Sequence, residues 1–168
     1  MADLGFDGMI KVAFVPTLTV GAVKVTELTA NGVIPLEGRL TAEGLAISSE
    51  TADIDTSKLN STANSGTIGR DTYEVGVTYV RGDSADTEAQ AVQTALVRGA
   101  SGYLVVRRDK VSTAAWAVGD KVEHYPVICK RPNPAPPAPD SLQTVEVAMA
   151  VTDGNRVRGI DNPVTLVA

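Results

Sequence analysis

The sequence predicts a mainly β, α+β fold: an antiparallel β-sandwich or partly closed barrel with one flanking α-helix. Apolar and polar residues alternate with a period of two at residues 72–79 and again at 144–151, a pattern typical of half-buried strands. One segment, about residues 84–98, has a long apolar stripe at helical spacing. The length of 168 residues is that of one domain, which we expect to span residues 1–168.

The predicted strands follow one another along most of the chain. In residues 72–79 the odd-numbered positions are Tyr or Val, and the even-numbered ones are small or polar. In residues 144–151 Val and Met alternate with Thr, Glu and Ala in the same way. Further strand patterns occur at residues 10–15, 34–48, 102–109 and 121–129, and residues 163–168 are interpreted as a terminal strand or an arm. Strands of this number around one helix favour a sheet-based fold.

The long helix is predicted between about residues 84 and 98, and a short helical turn at residues 25–32. The candidate N-caps of the long helix are Asp83, Ser84 and Asp86. Its apolar stripe consists of Ala89, Val92 and Leu96. In the short turn, Thr26 is the candidate N-cap and Gly32 follows as a left-handed stop.

Three segments are predicted to be irregular: an N-terminal arm at about residues 1–9, a long loop at about 49–67, and a proline-rich stretch at 131–140. The long loop is rich in Ser, Thr, Asn and Asp, and loops of this length are usually functional or disordered. Only residues 140–168 follow the prolines, too few for a second domain without disulfides or a metal to stabilise it. We therefore expect an inter-strand loop there, in preference to a linker or a ligand for proline-binding modules.

Composition and charge argue against several function classes. The net charge of −5 disfavours a grip on nucleic acid, which needs Lys and Arg to displace counterions from phosphates. The single cysteine cannot form an internal disulfide, so an oxidising compartment is not indicated. No signal-peptide pattern is present, and no apolar run approaches the ~20 residues of a membrane span. We therefore expect a chain folded in a reducing cytoplasm, without membrane insertion.

No group of residues forms a catalytic or metal-binding constellation, and we interpret the chain as a non-enzyme without cofactors. His124 is the only histidine, so it lacks the partners that catalysis or zinc binding needs. Cys129 has no activating base on its face of the predicted strand, and a buried structural thiol is the better interpretation. Asp53 and Asp55 lack the turning glycine and the distant glutamate of a calcium loop.

Charge is distributed unevenly along the chain. Residues 37–58 are mostly acidic, and residues 107–131 are mostly basic. One interpretation is an ordinary solvated surface. The other is a head-to-tail contact in which the acidic segment of one copy meets the basic segment of the next, forming rings and tubes. The candidate inter-subunit residues are Glu37, Asp53, Asp55, Lys58, Arg107, Arg108 and Lys121.

A family resemblance rests on the order of several motifs. These are VTELTANGVIPLEGRLTAEGLAISSET, LNSTANSGTIGRDTYEVGVTYV, the predicted helix, GYLVVRR and AWAVGDKVEHYPVICKRPNPAPPAP. In this order they resemble the major tail (tail tube) proteins of long-tailed, siphovirus-type bacteriophages, most closely those of phages that infect actinobacteria. The resemblance covers roughly residues 10–155. None of these motifs is a catalytic signature.

The resemblance implies a structural virion protein. Subunits of the family form hexameric rings that stack around a tape-measure protein into the tail tube, with tail terminator and distal tail proteins as further partners. DNA passes through an acidic lumen without specific binding, and the loop at residues 49–67 and the terminal arms connect the rings. The virion tail is assembled in the host cytoplasm. By strand alternation alone, the candidate lumen residues are Glu74, Thr78 and Glu146.

Other functions stay open at this point. Within the virion, the alternatives are a tail terminator that forms a single ring, or a decoration protein. From another class, the alternative is a carbohydrate- or receptor-binding β-sandwich module. Sugar binding normally uses exposed aromatic platforms, and a chain with 1 Trp and 4 Tyr supplies few of them.

Overall fold

A computed structural model describes residues 8–168 of the chain. The predicted N-terminal arm at residues 1–9 lies mostly outside these described residues. The helical elements are α1 (Val25–Leu28), α2 (Thr87–Ala95) and a 3-10 turn at Gly154–Arg156. The strands are β1 (Lys11–Val15), β2 (Ile34–Pro35), β3 (Leu40–Asp55), β4 (Gly66–Val80), β5 (Ser101–Arg107), β6 (Lys121–Cys129), β7 (Asn133–Pro134), β8 (Thr144–Val151) and β9 (Val164–Thr165).

The strands pair antiparallel in the order β2-β1-β5-β6-β8-β4-β3, with β7 added to β8 and β9 to β6. The chain itself joins the two ends of this order, because residues 36–39 lead from β2 into β3. Leu36 N–H donates to Val12 O at 2.9 Å, and Val80 N–H donates to Arg39 O at 2.8 Å. The predicted class, a mainly β, antiparallel sandwich or partial barrel with one flanking helix, is confirmed.

The first core lies on the inner face of this barrel. Val77 of β4 and Val147 of β8 are directly opposite each other in the ladder, and both are buried. The strands β4 and β8 supply Val75, Val77, Tyr79, Val145, Val147 and Met149 to this core. The odd-numbered positions that the alternation singles out are therefore the inward ones, as their spacing in a pleated strand requires.

A second core explains why β5 and β6 are buried on both faces. It consists of Ala13, Val15, Val23, Leu28, Val105, Val122, Val164 and Leu166. Residues 164–167 close it from outside: Leu166 N–H donates to Asp120 O at 2.8 Å, and Val167 N–H donates to Val23 O at 3.0 Å. β6 is buried at nearly every position, including the polar Glu123 and His124, as expected for a strand covered on both sides.

Helix α2 is shorter than the predicted span of about residues 84–98. Its N-cap is Asp86, whose Oδ1 accepts a hydrogen bond from Ala89 N–H at 3.1 Å and one from Arg39 at 2.6 Å. Residues 83–85 instead form a turn around the Asp83 carboxylate, and the helix ends before Leu96. In α1 the N-cap is Lys24 and not Thr26.

The predicted long loop at residues 49–67 is wrong in its extent. Strand β3 continues to Asp55 and β4 begins at Gly66, so the loop is reduced to residues 56–65. The backbone ladder continues although the side chains have no apolar face, and Thr and Ser are compatible with extended backbone. Beyond the pair Ser49 and Tyr73, both faces of this hairpin are largely exposed.

The proline-rich residues 131–140 connect β6 to β8. They fold back along β8 as the short strand β7, in which Asn133 lies opposite Glu146 and Pro134 opposite Val145. The pairing continues with Ala135 N–H, which donates to Thr144 O at 3.0 Å. A proline at the margin of a sheet offers no N–H to a stray strand.

The connection between β5 and β6 is folded around the buried guanidinium of Arg107. Its Nη1 donates to Asp120 Oδ2 at 2.8 Å and to Ala115 O at 2.9 Å, and its Nη2 donates to Val111 O at 3.0 Å. Burial raises the pKa of Asp120, but hydrogen bonds from Lys110 and Arg107 outweigh it and hold this pKa below its usual value. One ion pair thus fixes the whole 108–120 connection.

We expect Asp120→Ala to lower the free energy of unfolding by about 3–5 kcal/mol, because it leaves the Arg107 guanidinium buried and uncompensated. Chemical denaturation at pH 7 measures this. The control is Glu88→Gln, which loses an exposed contact of 3.6 Å with Arg39 and should change stability by less than about 1 kcal/mol. Equal effects of the two substitutions contradict this role of the buried pair.

His124 is fully buried in β6, opposite Val105, and makes an edge contact with the Tyr103 ring at 5.9 Å between centroids. Neither of its ring nitrogens has a hydrogen-bond partner among the described residues. Burial, together with a smaller effect of the Arg158 charge, lowers the pKa of His124 to about 4. The neutral imidazole therefore packs against the second core much as an apolar side chain would.

Stability should consequently fall as the pH drops from about 6.5 to about 4, because in this window the unfolded chain binds a proton on His124 and the folded chain does not. The loss attributable to His124 is about 3 kcal/mol. Urea unfolding of the wild type and of His124→Leu at several pH values isolates it. Parallel stability curves for the two proteins contradict the prediction; a flatter curve for the variant is expected.

Candidate assembly surfaces

The three candidate lumen residues lie on one face of the sheet, opposite to the first core. Thr78 and Glu146 are direct partners in the β4–β8 ladder, and Glu74 lies on the same side of β4. We call this surface the polar sheet face; its members are Ala46, Ser48, Glu74, Gly76, Thr78, Glu146, Ala148 and Ala150. Apart from the two glutamates, its side chains are small and uncharged.

The polar sheet face is concave and borders an open cavity of about 700 Å³. Lys130 also lines this cavity, as do Asp71, Glu74 and Glu146. It reaches this position because its N–H pairs with Ala148 O at 2.9 Å, one residue past the end of β6. Alternation within β4 and β8 does not predict this position of Lys130, because the lysine follows β6 and belongs to neither strand. The cavity beside the face therefore carries both signs of charge.

The candidate inter-subunit residues are scattered, and one of them is not on the surface. Arg107 is fully buried in its pair with Asp120, so the inference that it contacts another copy is wrong. A run of basic residues in the sequence does not show which arginines are exposed. Arg107 instead neutralises the buried carboxylate of Asp120, thirteen residues later.

Two other candidates have partners within their own subunit. Glu37 is half-buried and pairs with Lys11 at 3.5 Å. Arg108 Nε donates to Glu123 Oε1 at 2.6 Å. Lys121 is exposed at the start of β6. The remaining three candidates lie together on the β3–β4 hairpin: Asp53, Asp55 and Lys58.

The outer part of the β3–β4 hairpin, residues 49–73, is a candidate contact element, and we call it the hairpin arm. β3 is the last strand of the sheet, so no described strand pairs with its outer edge. The arm exposes Ile54 by 49%, Ile68 by 77% and Leu59 by 107%. Unpaired strand edges and exposed large apolar side chains are typical of surfaces that another chain covers.

The tip of the arm, residues 56–65, is held in shape by its own polar groups. Thr56 N–H donates to Ser65 O at 2.9 Å, and Ser65 N–H donates to Ser57 Oγ at 2.9 Å. Hydrogen bonds from Ser57 to Asp55 lower the pKa of that carboxyl. The tip therefore presents Lys58 and Leu59 from an organised turn.

A second cavity, of about 350 Å³, lies at the base of the arm, and we call it the hairpin-base cavity. It is lined by Ile47, Ser48, Ser49, Tyr73, Arg108, Glu123, Tyr125, Val157, Gly159, Ile160, Asp161 and Asn162. Glu123 is buried there and accepts hydrogen bonds from Arg108 and, at 3.0 Å, from the Tyr125 hydroxyl. Burial, then the Glu123 charge, raises the pKa of Tyr125.

The groups considered for chemistry remain isolated. Cys129 is buried in the first core, and burial raises its pKa to about 11, which suppresses the thiolate. Within residues 8–168, no cluster of His, Cys, Asp and Glu is placed to hold a metal ion. In the same range, no helix is long and apolar enough to cross a membrane.

The described chain thus combines a β fold with an arm whose outer strand edge is unpaired. A family model described as phage tail tube protein matches residues 2–160, so the chain belongs to this family. It is accordingly a non-enzymatic structural component of the phage tail, in a family whose members assemble into oligomeric tail structures.

The fold comparison agrees with this family. A chain in the cryo-EM structure of the anti-feeding prophage (AFP) baseplate, six-fold symmetrised, is similar with a TM-score of 0.55 at 7% sequence identity. The match covers 91% of this chain and 95% of that one. At this identity the likeness concerns the fold alone. No curated protein matches the sequence.

Proposed function

We propose that copies of this chain form hexameric rings that stack into the tail tube of a long-tailed phage, the conduit through which DNA is ejected. The main support for this proposal is the hairpin arm. It extends beyond the core, exposes apolar side chains on an unpaired edge, and has no cover within the described chain. Neighbouring copies that cover the arm remove this edge and these apolar side chains from water.

Six copies per ring are supported by the fold comparison, since the similar baseplate chain belongs to an assembly that was six-fold symmetrised. We extend this symmetry to the present chain. Closing the sheets of six copies into a common barrel covers strand edges that are exposed in the single copy.

We assign the polar sheet face to the lumen. Glu74 and Glu146 repel the phosphates of DNA, and the small side chains between them keep the surface smooth. Lys130 offsets part of this negative charge. A mixed, weakly charged wall suits DNA that must move past without binding, because tight binding requires many uncompensated Lys and Arg contacts to phosphates.

We propose that the rings stack around a tape-measure protein and end at tail terminator and distal tail proteins. We assign the chain to a siphovirus-type phage of actinobacteria, with assembly of the tail in the host cytoplasm. The motifs quoted from residues 25–139 support this assignment.

Negative-stain electron microscopy of the purified protein tests the assembly directly. Long tubes with six-fold end views are the expected result. Isolated rings indicate a tail terminator, and stable monomers contradict the proposed function.

Removing the hairpin arm should abolish tubes and leave the subunit folded. Because Ser49 and Tyr73 are opposite each other in the ladder, residues 50–72 can be replaced by Asn-Gly, which forms a two-residue hairpin turn. Both cores lie outside the deleted residues, so we expect a cooperative unfolding transition within about 1 kcal/mol of the wild type. Tubes of normal length from this variant contradict the role of the arm.

Charge reversal on the polar sheet face should make the tube retain DNA. We expect tubes of Glu74→Lys/Glu146→Lys to bind short duplex DNA in co-sedimentation, with an affinity that falls steeply between 50 and 200 mM salt. The matched control is Glu88→Lys, which places the new charge on the exposed side of α2. Equal DNA binding by the control and by the double variant rules out a specific lumen role for Glu74 and Glu146.

A further inference from the structure

We propose that the tip of the hairpin arm docks into the hairpin-base cavity of another copy, with Leu59 in the cavity and Lys58 paired with Asp161. This inference rests on the proposed tube assembly and names the contact that links one copy to the next. It follows from the chemistry of the two surfaces and from their placement on one hairpin.

The tip offers a small, defined ligand. Leu59 is exposed by 107%, more than any other large apolar side chain of the described chain, and it lies in a turn of Ser, Thr, Asn and Ala. Lys58 precedes it and makes no ion pair within residues 8–168. The tip therefore presents one apolar side chain beside one cation that has no ion-pair partner among the described residues.

The hairpin-base cavity has the complementary character. Ile47, Tyr73 and Ile160 supply apolar surface, and Ile160 is itself exposed by 75%. A volume of about 350 Å³ is at the lower end of the range of ~300–1,000 Å³ for pockets that enclose small ligands. This is enough room for a leucine side chain and the aliphatic stem of a lysine.

The cavity also has one uncompensated charge, and it is negative. The charge of Arg108 is neutralised by buried Glu123, at 2.6 Å. Asp161, in contrast, has no cation within 4 Å among the described residues. Its Oδ1 lies 3.1 Å from the place where a Cβ on Gly159 would be, so the glycine leaves room for this carboxylate at the wall. The cavity is thus a site for an apolar group that carries a cation.

The tip cannot reach the cavity of its own subunit. The β3–β4 ladder continues as far as the pair Asp55 and Gly66, which holds the arm extended. From Ser49 at the cavity wall to Asp55 the strand rises about 20 Å, at roughly 3.3 Å per residue. The occupant must therefore be the tip of another copy.

This arrangement also determines how the contact propagates. Each copy has the tip at one end of the arm and the cavity at the other, so the contact is head-to-tail and leaves a free tip and a free cavity at the two ends of any stack. Heterologous contacts that do not close generate open-ended assemblies. An axial stack of copies is the expected product.

A charge exchange tests the docked pair. We expect Lys58→Asp, Asp161→Lys and Leu59→Ser each to raise the protein concentration needed for tube assembly about tenfold or more, the equivalent of 1.4 kcal/mol per contact. The double variant Lys58→Asp/Asp161→Lys should restore assembly, and Glu88→Lys should leave it unchanged. Assembly of all three single variants at the wild-type concentration overturns the inference and leaves the tube assignment intact.

Covalent trapping identifies the partner surface. In assembled Leu59→Cys/Asn162→Cys, mild oxidation should give a ladder of disulfide-linked oligomers, whereas either single variant gives dimers at most; Cys129 is buried and does not compete. Wild-type-like tubes without the ladder overturn the docking. Absence of any wild-type assembly contradicts the proposed function and the docking together.

Discussion

The ion pair between Arg107 and Asp120 is the interaction on which the body of the subunit depends, the body being the barrel together with the second core. It joins the end of β5 to the residue before β6 and binds the carbonyls of the intervening chain. Trp116 lies over the same guanidinium at 5.2 Å, so the lone tryptophan is part of this centre. With the connection fixed in this way, β5 and β6 lie side by side and separate the two cores.

The subunit divides its stabilising interactions unequally between the body and the arm. The barrel and the second core contain the buried apolar side chains of the described chain, whereas the arm beyond Ser49 and Tyr73 has a hydrogen-bonded ladder and no core of its own. Folding and association therefore use different residues. A substitution in the arm can weaken assembly at little cost in stability, and substitutions in the cores do the reverse.

The sequence predicts the parts of this fold in which burial and periodicity coincide. The alternation around Val77 and Val147 and the stripe of Ala89 and Val92 give the inner faces of β4, β8 and α2 correctly. The hairpin arm escapes prediction because a strand exposed on both faces has no apolar period, and its Ser and Thr residues look like a loop. The buried state of Arg107 depends on a tertiary contact, and local charge density does not reveal such a contact. Glu123 is hidden for the same reason.

The closing role of residues 164–167 has a consequence for synthesis. Val23 and Leu28 belong to the second core, yet Val164 and Leu166, which complete it, are translated about 140 residues later. At 5–20 residues per second this is a delay of roughly 7–30 s, during which the early half of this core has no cover. A nascent chain interrupted before residue 164 leaves the second core open, so such a product exposes apolar side chains that Val164 and Leu166 would otherwise cover.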